Sequence, residues 1–238
     1  MVKNTTPDGI LLVDKPPGMT SHDVVDRVRR KFHIKKVGHC GTLDPNATGL
    51  LILVLGKATK LSERLMGQDK VYQGSIELGR ETNSYDVDGE TVSESDVPDL
   101  TLEDMNKFAA AFKGDQMQTP PMVSAIKKDG VPLYKLARKG IEVERPPRLI
   151  HVYYFRVKDY TAPECTFEIA CTKGTYIRSL AHDLGKQIGC GAYLKTLRRT
   201  VSGDFNVKDA RPLNDILDQD LGTLSKSLIV PTPLASSR

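Results

Sequence analysis

The chain has 238 residues, of which 39% are apolar and 27% charged, the balance of a globular protein with one large domain or one domain carrying an insertion. Net charge is +4, from 34 Lys and Arg against 30 Asp and Glu, so neither an acidic tail nor a uniformly basic surface defines it. No apolar run approaches the roughly 20 residues that span a bilayer, and Met1 to Val13 lacks the apolar centre of a signal peptide.

The four cysteines, Cys40, Cys165, Cys171 and Cys190, form no CxxC pair. That argues against zinc and against a disulfide framework, and it fits a reducing, cytoplasmic setting. Charge is segregated along the chain. Glu77 to Asp104 holds ten acids and one base, Met122 to Leu149 seven bases and three acids, and Cys171 to Thr200 six bases and one acid. Such segregation suits an anionic partner on one face, or simply solvated faces.

Ile10 to Val13 predicts a strand that ends in the rigid Asp14-Lys15-Pro16-Pro17-Gly18 turn. Thr20 or Ser21 caps a helix with Val24, Val25, Val28 and Phe32 on one face and Arg27, Arg29, Arg30 and Lys31 on the others. A helix end and loop follow from His33 to Gly49. Leu50 to Leu55 is a continuous apolar run, as in a buried strand. A short helix is predicted over Ala58 to Met66 and a strand over Val71 to Leu78. The acidic stretch with Asp88-Gly89 predicts a hairpin.

Thr101 caps a helix through Phe112, with Glu103 and Asp104 placed to complement its dipole. Gln118 to Pro121 breaks the pattern. The basic stretch of about 122–148 predicts a short helix near Leu133 to Arg138 and ends at Pro146-Pro147. Ile150 to Val157 and Cys165 to Cys171 read as paired strands, Tyr176 to Ile188 as a helix, and Tyr193 to Arg199 as a strand. From Ala210 a short helix and a loosely packed tail are expected. The class is α+β, with no clean boundary between domains.

The densest segment is Gly38-His39-Cys40-Gly41-Thr42-Leu43-Asp44-Pro45-Asn46-Ala47-Thr48-Gly49. A glycine-rich loop before a buried strand is a place for chemistry, and Asp44 is biased to extended backbone by Pro45. An Asp-Pro turn that caps its own backbone explains the same residues. Cys171 to Leu180 runs from a strand end through Gly174 into a helix start. There Lys173 and Arg178 would meet an anion or a carboxylate, or simply decorate a turn. Tyr72, after Lys70 and Val71, is either core or a stacking platform. Residues 118–140 pair bases with few apolar anchors, which suits an arm along a sugar-phosphate backbone or a solvated loop.

Together these pieces resemble the TruB family of tRNA pseudouridine synthases. The Gly38-to-Leu51 segment is similar to the family's signature loop. Asp14-Lys15-Pro16, Lys70-x-Tyr72, Gly79-x-x-Thr82-x-x-x-Asp86-x-x-Gly89, Gln118-x-Pro120-Pro121, Lys173 to Leu180 and Leu197-Arg198-Arg199-Thr200 arrive in the family's order. The resemblance covers about residues 8 to 208. It implies a mixed, mainly antiparallel sheet flanked by helices (the pseudouridine synthase fold) with a central RNA-binding cleft. On it, 1–208 is the catalytic domain with the basic arm of about 122–148 inserted, and 209–238 a short helix and tail instead of a full C-terminal RNA-binding domain.

The same resemblance implies isomerisation of uridine 55 in the T-loop of tRNA, with no cofactor, no metal and no obligate protein partner, in a monomer. Asp44 becomes the catalytic carboxylate, Tyr72 stacks on the flipped base, and Arg178 pairs with Asp44. His39, Tyr176 and Leu197 line the substrate pocket, and Lys70, Lys127, Arg138 and Lys173 are candidates for the RNA backbone. Val123 stands where the family usually has Tyr, and Asn83 and Ser84 where an acid and Thr are commoner. Two other readings compete. A non-catalytic RNA chaperone has no use for an acid facing phosphates, and a base-exchange enzyme or glycosylase would release free base or change the RNA mass.

Overall fold

The computed structural model describes residues 7–124, 126–137 and 139–230. The strands are β1 (Gly9–Lys15), β2 (Val37–His39), β3 (Thr48–Leu55), β4 (Lys70–Leu78), β5 (Arg80–Thr82), β6 (Thr91–Glu94), β7 (Gly114–Gln118), β8 (Lys127–Lys128), β9 (Val131–Pro132), β10 (Arg148–Thr161), β11 (Glu164–Cys171), β12 (Ala192–Ser202), β13 (Phe205–Asn206) and β14 (Arg211–Pro212). The helices are α1 (Ser21–Lys31), α2 (Ser62–Met66), α3 (Leu102–Ala110), α4 (Leu133–Ala137), α5 (Ile177–Ile188), α6 (Leu213–Leu217) and α7 (Leu221–Ser227). The chain divides into two compact units, Met1–Lys70 with Arg198–Arg238, and Val71–Leu197.

In the first unit β3 is the axis. It pairs antiparallel with β1 from Gly9↔Leu55 to Lys15↔Gly49, antiparallel with β2, and parallel with β12 at Arg198↔Thr48 and Arg199↔Gly49. Leu50 to Leu55 are at most 1% exposed, so the continuous apolar run is buried on both faces. Helix α1 starts at a complete capping box, with Thr20 and Asp23 exchanging side-chain-to-backbone bonds, and buries Val24, Val25 and Val28.

Two expectations change in this unit. The stretch expected to be loop from His33 to Gly49 contains β2, a three-residue strand with a central glycine and little apolar signal. Among the described residues the C-terminal stretch holds two helices where one was expected, and the end of the expected tail, residues 231–238, lies outside the described residues. Leu213, Ile216 and Leu224 are buried, and Ile229 exchanges two backbone hydrogen bonds of 2.9 Å with Ile10.

In the second unit the strand order is β12-β4-β11-β10-β7. The β10–β11 hairpin is antiparallel, and β7 lines the other edge of β10 from Arg148↔Gln118 to Val152↔Gly114. Strand β7 precedes the expected break at Gln118. Its sequence, Gly-Asp-Gln-Met-Gln, lacks the β-branched and aromatic residues that would have announced it. The acidic stretch forms the expected hairpin, β5 against β6, with Gly89 donating back to Asp86 in the turn. Thr101 caps α3 through a second capping box, and Gly189 at φ 96° ends α5 in the left-handed conformation.

Candidate active site

In the first unit the Cys40–Gly49 loop is held at several points. The buried Ser21 hydroxyl accepts from Leu43 N–H at 2.9 Å and donates to Leu43 C=O at 3.2 Å. Lys15, 0% exposed, donates to the carbonyls of Pro16, Met19 and Pro45 at 2.7–2.9 Å. Gly18 N–H donates to the same Pro45 carbonyl, and Ala47 N–H closes a turn on Asp44 C=O. Burial pushes the Lys15 ammonium down to about 8, against the pull of the Asp44 and Asp23 carboxylates.

The base of the loop is closed by Arg199, 1% exposed. Its Nε donates to Leu50 C=O at 2.8 Å and its Nη2 to Gly41 C=O at 3.1 Å. Gly49, at φ 95°, lies against the Arg199 main chain, where an added Cβ would meet the carbonyl at 2.3 Å, so only glycine fits. Next to it, Arg198 grips Asp14 through both carboxylate oxygens, at 2.6 and 3.0 Å. The loop tip is open: Thr42, Pro45 and Asn46 are exposed and Asp44 half-buried. His39 is half-buried at the entry. Burial, then the positive charges of Arg199 and His22, push its imidazole below the ordinary histidine value, and its Nδ1 has no hydrogen-bond partner among the described residues.

In the second unit Arg178 opens α5 at 3% exposure. Its Nη1 donates to Ser84 C=O at 3.2 Å and lies 3.5 Å from Asp86 Oδ2, and its Nη2 donates to Val123 C=O at 2.8 Å. Asp86 is itself fixed by Ser84 Oγ and the Asp88 N–H. Tyr85, with φ 64°, stacks on His182 at 4.0 Å between ring centroids. Gln118 holds Tyr176 in place, its Oε1 accepting from Tyr176 N–H at 2.8 Å and its Nε2 donating to Tyr176 C=O at 3.0 Å. Tyr72 is buried at 8% exposure on β4, and Leu197 is half-buried on β12.

The candidates for backbone contact separate. Lys127 and Lys173 are exposed. Arg138 lies outside the described residues. Lys70 is 5% exposed, and its ammonium donates to the carbonyls of Met66 and Gln68. Sequence reasoning assigned no part in the site to Arg199, Lys15 or Ser21, and it quoted Asp86 without a role. No group of three or more His, Cys, Asp or Glu side chains able to hold a metal ion occurs among the described residues.

The model of the TruB family pseudouridylate synthase N-terminal domain matches residues 29–177, and that of the tRNA pseudouridylate synthase B C-terminal domain residues 178–232. A relative from Opitutus terrae named tRNA pseudouridine synthase B is 55% identical over 222 residues, covering 93% of this chain and 92% of its own. One of the same name from Endomicrobium trichonymphae is 48% identical, covering 87% and 90%. Among solved structures, a Cbf5-Nop10-Gar1 complex contains a chain 29% identical, with TM-score 0.74 over 94% of this chain. An H/ACA RNP bound to a substrate RNA containing 2'-deoxyuridine contains one 28% identical, with TM-score 0.68 over 89%. This chain spans 60% and 53% of those two chains.

Proposed function

Because the chain belongs to the TruB family of pseudouridylate synthases, we propose that it isomerises uridine 55 in the T-loop of tRNA to pseudouridine, with Asp44 as the catalytic carboxylate. The observation that carries the assignment of Asp44 is its mounting. It is a half-exposed acid at the open tip of a loop pinned by Lys15, Ser21 and Arg199. A turn staple needs no such fixation, whereas a reacting group held to within a fraction of an ångström does.

The reaction breaks the N1–C1′ glycosidic bond, turns the uracil and joins C5 to C1′, after which a proton leaves C5. The base must first leave the folded T-loop, at a cost of a few kcal/mol. Stacking on Tyr72 would return about 1–3 kcal/mol. Asp44 then attacks C6 of the ring, or attacks or stabilises C1′ of the sugar as positive charge develops there; any bond it forms breaks again before release, N1 gains a proton as C5 loses one, and both routes need the ionised carboxylate. Arg178 is the cation assigned to favour that form. His39, Tyr176 and Leu197 are the residues proposed to line the pocket, and Tyr72 the base that takes the C5 proton. Lys127 and Lys173, exposed and basic, are retained as contacts to the RNA backbone. No helix among the described residues is long and apolar enough to cross a membrane. All four cysteines are buried outside any disulfide, which supports the cytoplasmic setting; the working form is proposed to be a monomer without a cofactor.

The test is incubation with an unmodified tRNA transcript, followed by carbodiimide mapping of pseudouridine and an assay for free uracil. Pseudouridine at the T-loop position with no free base is the expected result, and Asp44→Asn should bind the transcript without turnover. A fully active Asp44→Asn protein removes the catalytic assignment. Free uracil favours a glycosylase, and tight binding without modification by the wild type favours an RNA chaperone.

A further inference from the structure

Outside the loop that carries Asp44, the strongest charge concentration in the first unit runs from Arg27 to Lys36, where six of ten residues are Lys or Arg and none is acidic. Arg27, Arg29, Arg30, Lys31, Lys35 and Lys36 are all exposed, as is His33 between them. The neighbouring Asp26 offsets part of this charge, at 2.8 Å from Arg29 and 4.0 Å from Arg30. Arg27, Lys31, Lys35 and Lys36 form no ion pair among the described residues.

Cations in a last helical turn are ordinary, because they complement the helix dipole. That accounts for Arg29, Arg30 and Lys31 in α1. It does not account for Lys35 and Lys36, which lie beyond the helix, or for Arg27, a turn earlier. The segment is also rigid. Phe32 and Ile34 are 5% and 2% exposed, Ile34 N–H donates to Arg29 C=O, and Gly56 N–H donates to Lys36 C=O. The backbone that carries its cations is therefore anchored at both ends. The segment leads directly into β2, which ends at His39. At about 3.3 Å per strand residue, Lys36 lies roughly 10 Å from the residue that opens the Asp44 loop.

We infer that this Arg27–Lys36 surface is a docking site for the sugar-phosphate backbone of the RNA whose uridine reaches Asp44. The inference rests on the reading of the protein as an RNA-modifying enzyme and adds a binding surface to it. An extended polyanion matches a surface on which Arg27, Lys31, Lys35 and Lys36 form no ion pair among the described residues, and its binding releases condensed counterions, so each contact steepens the salt dependence.

The experiment measures the affinity of the wild type and of R27Q/K31Q/K35Q/K36Q for an unmodified tRNA transcript from about 50 to 300 mM KCl. The variant should bind at least about tenfold more weakly near 100 mM, with the slope of log K against log salt reduced by about two to three. The charge-preserving R27K/K31R/K35R/K36R should keep the wild-type slope. A glutamine variant with wild-type slope and affinity overturns the inference. Its thermal melting is measured alongside. If it does not fold, K35Q/K36Q, outside the helix, replaces it, with a slope change of about one to two expected and an unchanged slope overturning the inference. Pseudouridine formation by the wild type is scored separately. Its absence, with the steep salt dependence still lost in the variant, sinks the enzymatic reading and leaves the RNA-binding surface standing.

Discussion

Arg178 carries a permanent charge at 3% exposure, and a guanidinium at that depth must find several acceptors or destabilise the fold. It finds the carbonyls of Ser84 and Val123 and the carboxylate of Asp86 in different directions. A lysine has neither the reach nor the planar fork to meet all three. Arg178→Lys should therefore lose at least about tenfold in turnover, equivalent to about 1.4 kcal/mol, and wild-type rates from that protein would remove the residue from the mechanism. His39 offers a second measurement. Its folded value lies below the ordinary one, so as pH falls through about 6.5 the unfolded chain takes up a proton before the native protein does. The stability linked to His39 is thus full above that range and lost as pH drops through it. A titration of the imidazole by NMR should show protonation below the ordinary value, and in Arg199→Met the value should rise. An unchanged value in that variant would show that Arg199 does not hold the imidazole neutral.

The Cys40–Gly49 loop behaves as one element whose ends are tied by Arg199. Arg199→Met keeps much of the volume but leaves the Gly41 and Leu50 carbonyls without that donor. Each unsatisfied carbonyl costs about 1–3 kcal/mol, so the melting temperature should fall by several degrees, and turnover should fall further than tRNA affinity. Equal melting and full activity would show that the clamp is dispensable. The elements differ in how far sequence announced them. Helices α1 and α3 were legible because Thr20 and Thr101 cap them ahead of periodic apolar residues. Strand β3 was legible as an unbroken apolar run. Strands β2 and β7 were not, since Val37-Gly38-His39 is too short to show alternation and Gly114–Gln118 is polar. Asp44, Arg178 and His39 were singled out through the resemblance to the TruB family. Arg199 did not, because an Arg in a strand reads as solvent-facing, and its acceptors lie 149 and 158 positions away. The burial of Lys70 was not legible either: its carbonyl partners belong to a local chain path that composition does not reveal.

Across the whole molecule, charge follows the chain in blocks, with the acids of Glu77 to Asp104 in the second unit and the densest bases, Arg27 to Lys36, in the first. A net charge of +4 hides this, and salt-dependent binding reads the local field, not the sum. The first unit is also discontinuous, drawn from Met1–Lys70 and Arg198–Arg238. That gives the Arg199 clamp a consequence during synthesis. At about 5–20 residues per second, the ribosome finishes the Asp44 loop roughly 8–30 s before it supplies the side chain that closes it. A growing chain that already contains Asp44 therefore still lacks the side chain that ties its loop at Gly41 and Leu50. With Cys40 as the sole thiol, arrested nascent chains that expose residues up to 190 should be alkylated readily, and those that expose residue 230 should be protected, as Cys40 is 0% exposed in the finished protein. Equal protection at both lengths would mean that the loop sets without its clamp; protection at the greater length alone would mean that the loop waits for Arg199.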